Sequence, residues 1–276
     1  MKKLIIILLI CQICTGCENV DEKSVPSLIK EAESSIVRVM FVTKDKEKVP
    51  LPVVRGSAFL VAPGIAVTAL HVIDGLPEKS IFLVPADQNQ LNKKNLATIF
   101  VKDPNHDLVL LRCPFLKDRS FLKLGEPNQV EIGEESILMG FPMGDPILTS
   151  SKAMIAAKAR IELLKGYDVL TDMFKLDCAI NSGNSGGPVI HIPSGKVIGV
   201  VSLKVGAISQ KLQIFKKKKA RSARITLEGD DPIDLLQETL KDMERNLNLG
   251  LGYAISVSHL KKILEMSTTQ MQALPE

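Results

Sequence analysis

Seven consecutive small or polar residues, Asn181-Ser182-Gly183-Asn184-Ser185-Gly186-Gly187, interrupt an apolar stretch that resumes at Pro188-Val189-Ile190. Two readings fit them. Gly, Asn and Ser make ordinary surface turns between strands. Alternatively, Gly183 takes a positive φ that points its N–H toward a common centre with the N–H of Ser185, whose hydroxyl is then a nucleophile beside its own oxyanion hole. The second reading needs a base to take the hydroxyl proton and an acid to hold that base.

The chain holds four histidines. His71 closes the apolar run Ala66-Val67-Thr68-Ala69-Leu70, where packing at a strand end can hold its ring; taken alone, it also fits a buried core histidine. His106 lies in the turn Asp103-Pro104-Asn105-His106-Asp107 and is poorly placed to use its neighbour Asp107. His191 follows the serine along the resumed strand, and His259 stands at the start of a final helix. Asp107 leads directly into Leu108-Val109-Leu110-Leu111, so its carboxylate is partly buried and needs donors, either turn N–H groups or an imidazole whose tautomer it would fix.

Composition limits what surrounds this constellation. A chain of 276 residues with 45% hydrophobic content buries a sizeable core. Aromatics make up only 4% with no Trp, which argues against a nucleic-acid stacking platform, and a net charge of +4 commits the whole chain to no polyanion. The N-terminus, MKKLIIILLICQICTGC, has a basic pair, an apolar run too short to span a bilayer, and small residues, the anatomy of a secretory signal. Its end is similar to the lipobox of bacterial lipoproteins, with Cys17 as the lipidated residue, although Cys14 stands where an aliphatic residue is usual. An ordinary secretory signal is the other reading. Residues 1–17 are thus expected to be signal and 18–34 a polar leash tethering a domain to a membrane. Beyond the signal, Cys113 and Cys178 sit in or beside apolar runs as buried thiols, and no Cys/His ligand spacing survives, so neither metal nor cofactor is expected.

From residue 35 onward, short apolar runs alternate with Gly and Pro and no amphipathic helix separates them, which predicts antiparallel barrels or sandwiches. The reading is all-β, two barrels over 35–130 and 131–265 with a tail at 266–276. One insertion at about 205–248 breaks the pattern: a basic stretch, then Asp231 as a cap, Pro232 in the first turn, and Ile233, Leu236, Leu240, Met243 and Leu247 on one helical face. It reads as a solvated lysine run with a packed helix, a cap over the cleft or self-association surface, or a patch for anionic lipid.

The motifs resemble one family. "GSAFLVAPGIAVTALHVID", "DPNHDLVLLRC", "GFPMG", "LDCAINSGNSGGPVIHIPSGKVIGVVS" and "GLGYAISVSHLKKIL" are similar, in that order, to trypsin-like serine proteases of the HtrA/Deg branch. His71, Asp107 and Ser185 follow the chain order of the chymotrypsin arrangement. The resemblance implies a chymotrypsin-like double six-stranded antiparallel β-barrel with a C-terminal helix and one helical insertion. It implies His71 as general base, Asp107 as its orienter, Ser185 as nucleophile, the N–H groups of Gly183 and Ser185 as oxyanion hole, and Ser202 as a donor to the aspartate, although Ser202 also fits an ordinary strand serine. Ala179 and Ile180 would line the primary pocket, favouring small or medium aliphatic side chains. No PDZ domain is expected. The function expected is an exported, membrane-tethered serine endopeptidase acting on unfolded or extended polypeptides, possible as a homo-oligomer; the alternative is an inactive binding or holdase-like lipoprotein on the same fold.

Overall fold

The computed structural model describes residues 24–44, 50–88, 91–163, 169–204, 231–246 and 250–272. Residues 1–23, including Cys17, and 205–230, the basic part of the insertion, lie outside them.

Six strands form the first sheet: β1 (Ile36–Lys44), β2 (Pro50–Ala62), β3 (Ile65–Ala69), β4 (Phe82–Pro85), β5 (Thr98–Asp103) and β6 (Leu108–Arg112). Their order is β4-β1-β2-β3-β6-β5, antiparallel throughout. Its two edges meet where Phe82 bridges Leu96 and Ala97 N–H donates to Ile81 at 2.9 Å. The second sheet is a closed barrel of β7 (Glu135–Gly140), β8 (Thr149–Glu162), β9 (Leu170–Asp177), β10 (Pro188–His191), β11 (Lys196–Lys204) and β12 (Leu251–Ser256), in the order β10-β11-β12-β9-β8-β7. The double-barrel reading holds.

Strand β6 shows why its sequence is continuously apolar. Side chains alternate along a strand, and here both faces are buried. Val109 and Leu111 join Val37, Leu60 and Ile81 inside the first barrel. Leu108 and Leu110 face the other way into a core between the barrels, with Phe59, Ile137, Met139, Phe141 and Val200. A third cluster, including Ile155, Leu176, Val189 and Ile198, fills the second barrel. The site residues come from strand ends and turns around the middle core.

Two boundary expectations change. Residues 25–33 are not leash but a helix, α1 (Val25–Glu33), with Pro26 in its first turn. Leu28 and Ala32, one turn apart, are 4% and 2% exposed and pack into the middle core, so apolar spacing overrides the polar flanks. At the other end, the helix that begins at Val257 continues to Gln272, into the segment expected as tail. A short helix, α2 (Leu70–Ile73), follows β3; the insertion helix is α3 (Pro232–Asn246) and the closing helix α4 (Val257–Gln272). The α3 cap is as read from sequence: the Asp231 side chain accepts the Ile233 N–H at 2.8 Å. Of its apolar face, Leu240 is buried whereas Leu236 is exposed.

Leu110→Ala removes a fully buried side chain from the seam. A loss of about 2–5 kcal/mol is expected in denaturant unfolding. A loss under ~1 kcal/mol would mean that this core relaxes around the void.

Candidate active site

β3 carries the chain to His71 in α2, while the turn after β5 carries it to Asp107. Asp107 has left-handed backbone angles, φ 52° and ψ 39°, a conformation that non-glycine residues adopt only when their surroundings hold it. Three donors do so from the front. His71 gives its backbone N–H to Asp107 Oδ1 at 2.9 Å and its ring Nδ1 to Oδ2 at 2.7 Å. The Ser202 hydroxyl, from β11 of the other barrel, donates to the same Oδ2 at 2.6 Å. Burial is the largest single influence on this carboxyl and pushes its pKa up, but the His71 hydrogen bond and charge, with the Ser202 bond, outweigh it and hold it below the ordinary value. The proton of the pair therefore sits on the imidazole Nδ1, leaving Nε2 free to act as a base. The carboxylate side chain is 17% exposed and the imidazole 44%, so the base faces the cleft.

Ser185 lies half-buried on the Gly/Ser-rich turn before β10. Its hydroxyl donates to the Ser202 carbonyl at 3.4 Å. Ser202 thus touches both sides of the site, Asp107 through its hydroxyl and Ser185 through its backbone. The glycines of the turn are obligatory for two reasons. Gly183 and Gly186 take φ of +98° and +84°. A Cβ would also strike the Phe141 carbonyl at Gly183, or the Ser57 carbonyl and Thr68 hydroxyl at Gly186. Met143 N–H donates to the Ser182 carbonyl at 2.5 Å, and in a trans peptide the Gly183 N–H then points the opposite way. Neither that N–H nor the Ser185 N–H has an acceptor among the described residues.

Ser57, in β2, carries a role the sequence reading did not assign. Its N–H donates to the Ser185 carbonyl at 2.9 Å, and its hydroxyl donates to the Gly183 carbonyl at 2.6 Å while accepting the Phe141 N–H at 2.9 Å. Thr68, in β3, donates to the Ser57 carbonyl at 2.7 Å. The first barrel thereby holds the serine turn of the second. The only sequence signal was the small Gly56-Ser57-Ala58 opening of a strand.

The trypsin-like peptidase domain model matches residues 56–200, just over half of the chain, a range that includes Ser57, His71, Asp107 and Ser185. The chain belongs to the trypsin-like peptidase family. A probable periplasmic serine endoprotease DegP-like of Rickettsia conorii is 28% identical over 215 residues, covering 76% of this chain and 41% of that protein. Its counterpart in Chlamydia muridarum is 36% identical over 149 residues, 53% of this chain and 28% of that protein. This chain therefore spans less than half the length of these curated relatives. The solved structure of the HtrA-type protease AlgW with decapeptide shares the fold, with a TM-score of 0.62 and 20% identity over 91% of this chain and 68% of that one.

The remaining site expectations for this trypsin-like peptidase divide. Ala179 is exposed, and Ile180 is a correction: it is 1% exposed and belongs to the second-barrel core, its side chain occupying the space above Gly252. Neither lines the clefts beside Ser185 and His71. Those clefts are a space of about 560 Å³ bounded by Leu70, His71, Ile161, Leu163 and Ser202, and one of about 810 Å³ bounded by Phe41, Leu51, Val53, Met143 and Gly183. His106, next to Asp107 in the chain, pairs with Asp103, and His191 pairs with Glu134 and Ser194. Cys113 is buried and Cys178 half-buried, both as free thiols.

His259, at the start of α4, sets an acid limit on the fold. Burial, then the neighbouring His106, lowers its pKa from 6.5 to about 4. The folded state thus prefers the neutral ring. Its contribution to stability is complete above about pH 6.5 and is lost as pH falls toward 4. Asp107, also depressed, acts lower, its contribution being lost as pH falls from about 3.8 through its folded value. Between pH 4 and 6.5 the melting temperature is expected to rise with pH, and His259→Gln to flatten that rise. An unchanged slope in the variant would show that His259 is not the group responsible.

Proposed function

We propose that this chain is a serine endopeptidase that hydrolyses polypeptides through an acyl-enzyme. The observation that carries the reading is the Asp107 carboxylate shared between His71 of one barrel and Ser202 of the other, with Ser185 hydrogen-bonded to Ser202. The Ser185 bond is long, and a hydroxyl rotor leaves such a bond at little cost. Rotation toward His71 lets Ser185 Oγ attack a carbonyl carbon as its proton passes to Nε2, while Asp107 keeps Nδ1–H in place and stabilises the imidazolium. The Gly183 and Ser185 N–H groups take the oxyanion, an interaction worth about 3 kcal/mol for a single such donor in subtilisin. Collapse breaks the C–N bond, and Nε2–H protonates the leaving amine. Water then attacks the ester by the same steps in reverse.

The cleft beside Gly183 is walled largely by apolar side chains, the one beside His71 by Leu70, Ile161 and Leu163 together with Asp74, Lys102 and Glu162, and both open to solvent. They suit extended segments carrying apolar residues, which folded proteins hide and unfolded ones expose. The names of the DegP-like relatives support an exported location, and the lipobox-like sequence ending at Cys17 supports attachment to a membrane through a lipid. Among the described residues no helix is long and apolar enough to cross a membrane.

A fluorophosphonate is expected to label wild type but not Ser185→Ala, and the variant's kcat/KM on a denatured protein to fall by about 10⁴-fold or more. Absence of wild-type labelling at neutral pH would reject the peptidase and leave the binding reading. Separately, Cys17→Ser is expected to move the protein from the membrane fraction to the soluble fraction and to abolish incorporation of labelled palmitate. Unchanged partition and labelling would dismiss the lipid anchor.

A further inference from the structure

The turn that presents Asp107 is gripped from behind by groups that the reaction does not use. Pro104–His106 form a single 3-10 turn. The Asp103 carboxylate accepts the His106 backbone N–H at 3.3 Å and its ring Nδ1–H at 2.7 Å, capping the turn and orienting the imidazole. That ring lies on the ring of His259, with centroids 3.9 Å apart and planes inclined by 24°. His259 belongs to the second barrel's closing helix and is 4% exposed. Its Nε2 accepts the backbone N–H of Asp172 in β9 at 3.0 Å, an arrangement that assigns the ring proton to Nδ1, which is buried without a partner among the described residues. Beside the stack, the Thr171 hydroxyl, also from β9, donates to the Asn105 carbonyl at 3.4 Å.

We infer that His106, stacked on His259, is a positioning residue that fixes the left-handed turn at Asp107, so that α4 of one barrel aims the carboxylate of the other at His71. This rests on the peptidase reading only for its consequence in rate. A left-handed aspartate needs its neighbours immobilised, and the residue immediately before it is tied at its backbone, its ring edge and its ring face. The second barrel commits a buried ring with an unmatched N–H to that contact, which an apolar side chain would have made without that cost. The charged groups around the stack are Asp103 from the first barrel and Asp172 and Lys262 from the second. Asp172 is paired with Arg160 at 2.6 Å. Burial, then His106, holds the pKa of the inner ring, His259, at about 4, so that ring stays neutral at physiological pH.

His106→Ala removes the stack and the ring bond, whereas His106→Phe keeps an aromatic face on His259 and loses only the bond to Asp103. Rates are expressed per site titrated with fluorophosphonate, which removes any effect of misfolded protein. His106→Ala is expected to lower kcat about tenfold to a hundredfold with little change in KM, and to shift the acid limb of the pH–rate profile downward because the carboxylate that favours the imidazolium is turned aside. His106→Phe is expected to recover most of kcat. In parallel, the low-field proton resonance of the His71–Asp107 hydrogen bond is read in the Ser185→Ala background, where no activity is required. It is expected to persist in His106→Phe and to weaken or vanish in His106→Ala. A resonance and a pH profile that stay put while only the melting temperature drops would overturn the inference, leaving His106 as packing. A resonance that responds in a protein that never labels would uphold positioning and sink the peptidase instead.

Discussion

Asp107 offers two oxygens to three donors, and those donors come from both barrels. His71 supplies two of them from the end of β3, and Ser202 supplies the third from β11. A carboxylate this far from water costs several kcal/mol unless its lone pairs are met. That cost makes the arrangement mutually dependent. Docking buries the aspartate, donors from both barrels keep it charged there, and the charged aspartate holds the imidazole in the tautomer that leaves Nε2 free. The apolar seam of Leu108, Leu110, Phe59 and Phe141 provides the dry setting, and the carboxylate provides the alignment within it.

The serine turn obeys the same logic through backbone atoms. Gly183 and Gly186 bring the main chain closer to Phe141, Ser57 and Thr68 than any side chain permits, and Ser57 uses that proximity to hold two carbonyls of the turn. A loop rich in Gly and Ser would be pliable if exposed. Here its Gly183 and Ser185 carbonyls are occupied by the neighbouring barrel, and the N–H groups of the same two residues are left over.

Much of the site was legible because chemistry restricts residue type. A histidine at a strand end, an acid opening an apolar strand and a serine among glycines stand out even when scattered over more than a hundred positions, and Asp231-Pro232 announced a helix start by local rules alone. What escaped was decided by pairing. Nothing near Ser57 says that it will meet Gly183 and Phe141, because that contact depends on how two barrels dock. Ile180 sits beside the serine turn in sequence, yet the bare Gly252 opposite it opens a space that draws the side chain into the core. Helix α1 was hidden by its polar flanks, and its apolar pair gained meaning only once there was a seam to cover. His106 and His259, read separately as a turn residue and a helix opener, meet face to face only after the second barrel has closed.

If the peptidase reading holds, the dependence on Ser57 also bears on how such a chain stays harmless while it is being made. The first barrel emerges bearing an imidazole and a carboxylate but no hydroxyl to activate. The second adds the hydroxyl on a turn whose Gly183 and Ser185 carbonyls are held, among the described residues, only by Ser57 of the first. On the peptidase reading, the complete site is therefore a property of the docked pair alone. A nascent or broken half carries parts of the blade without an edge.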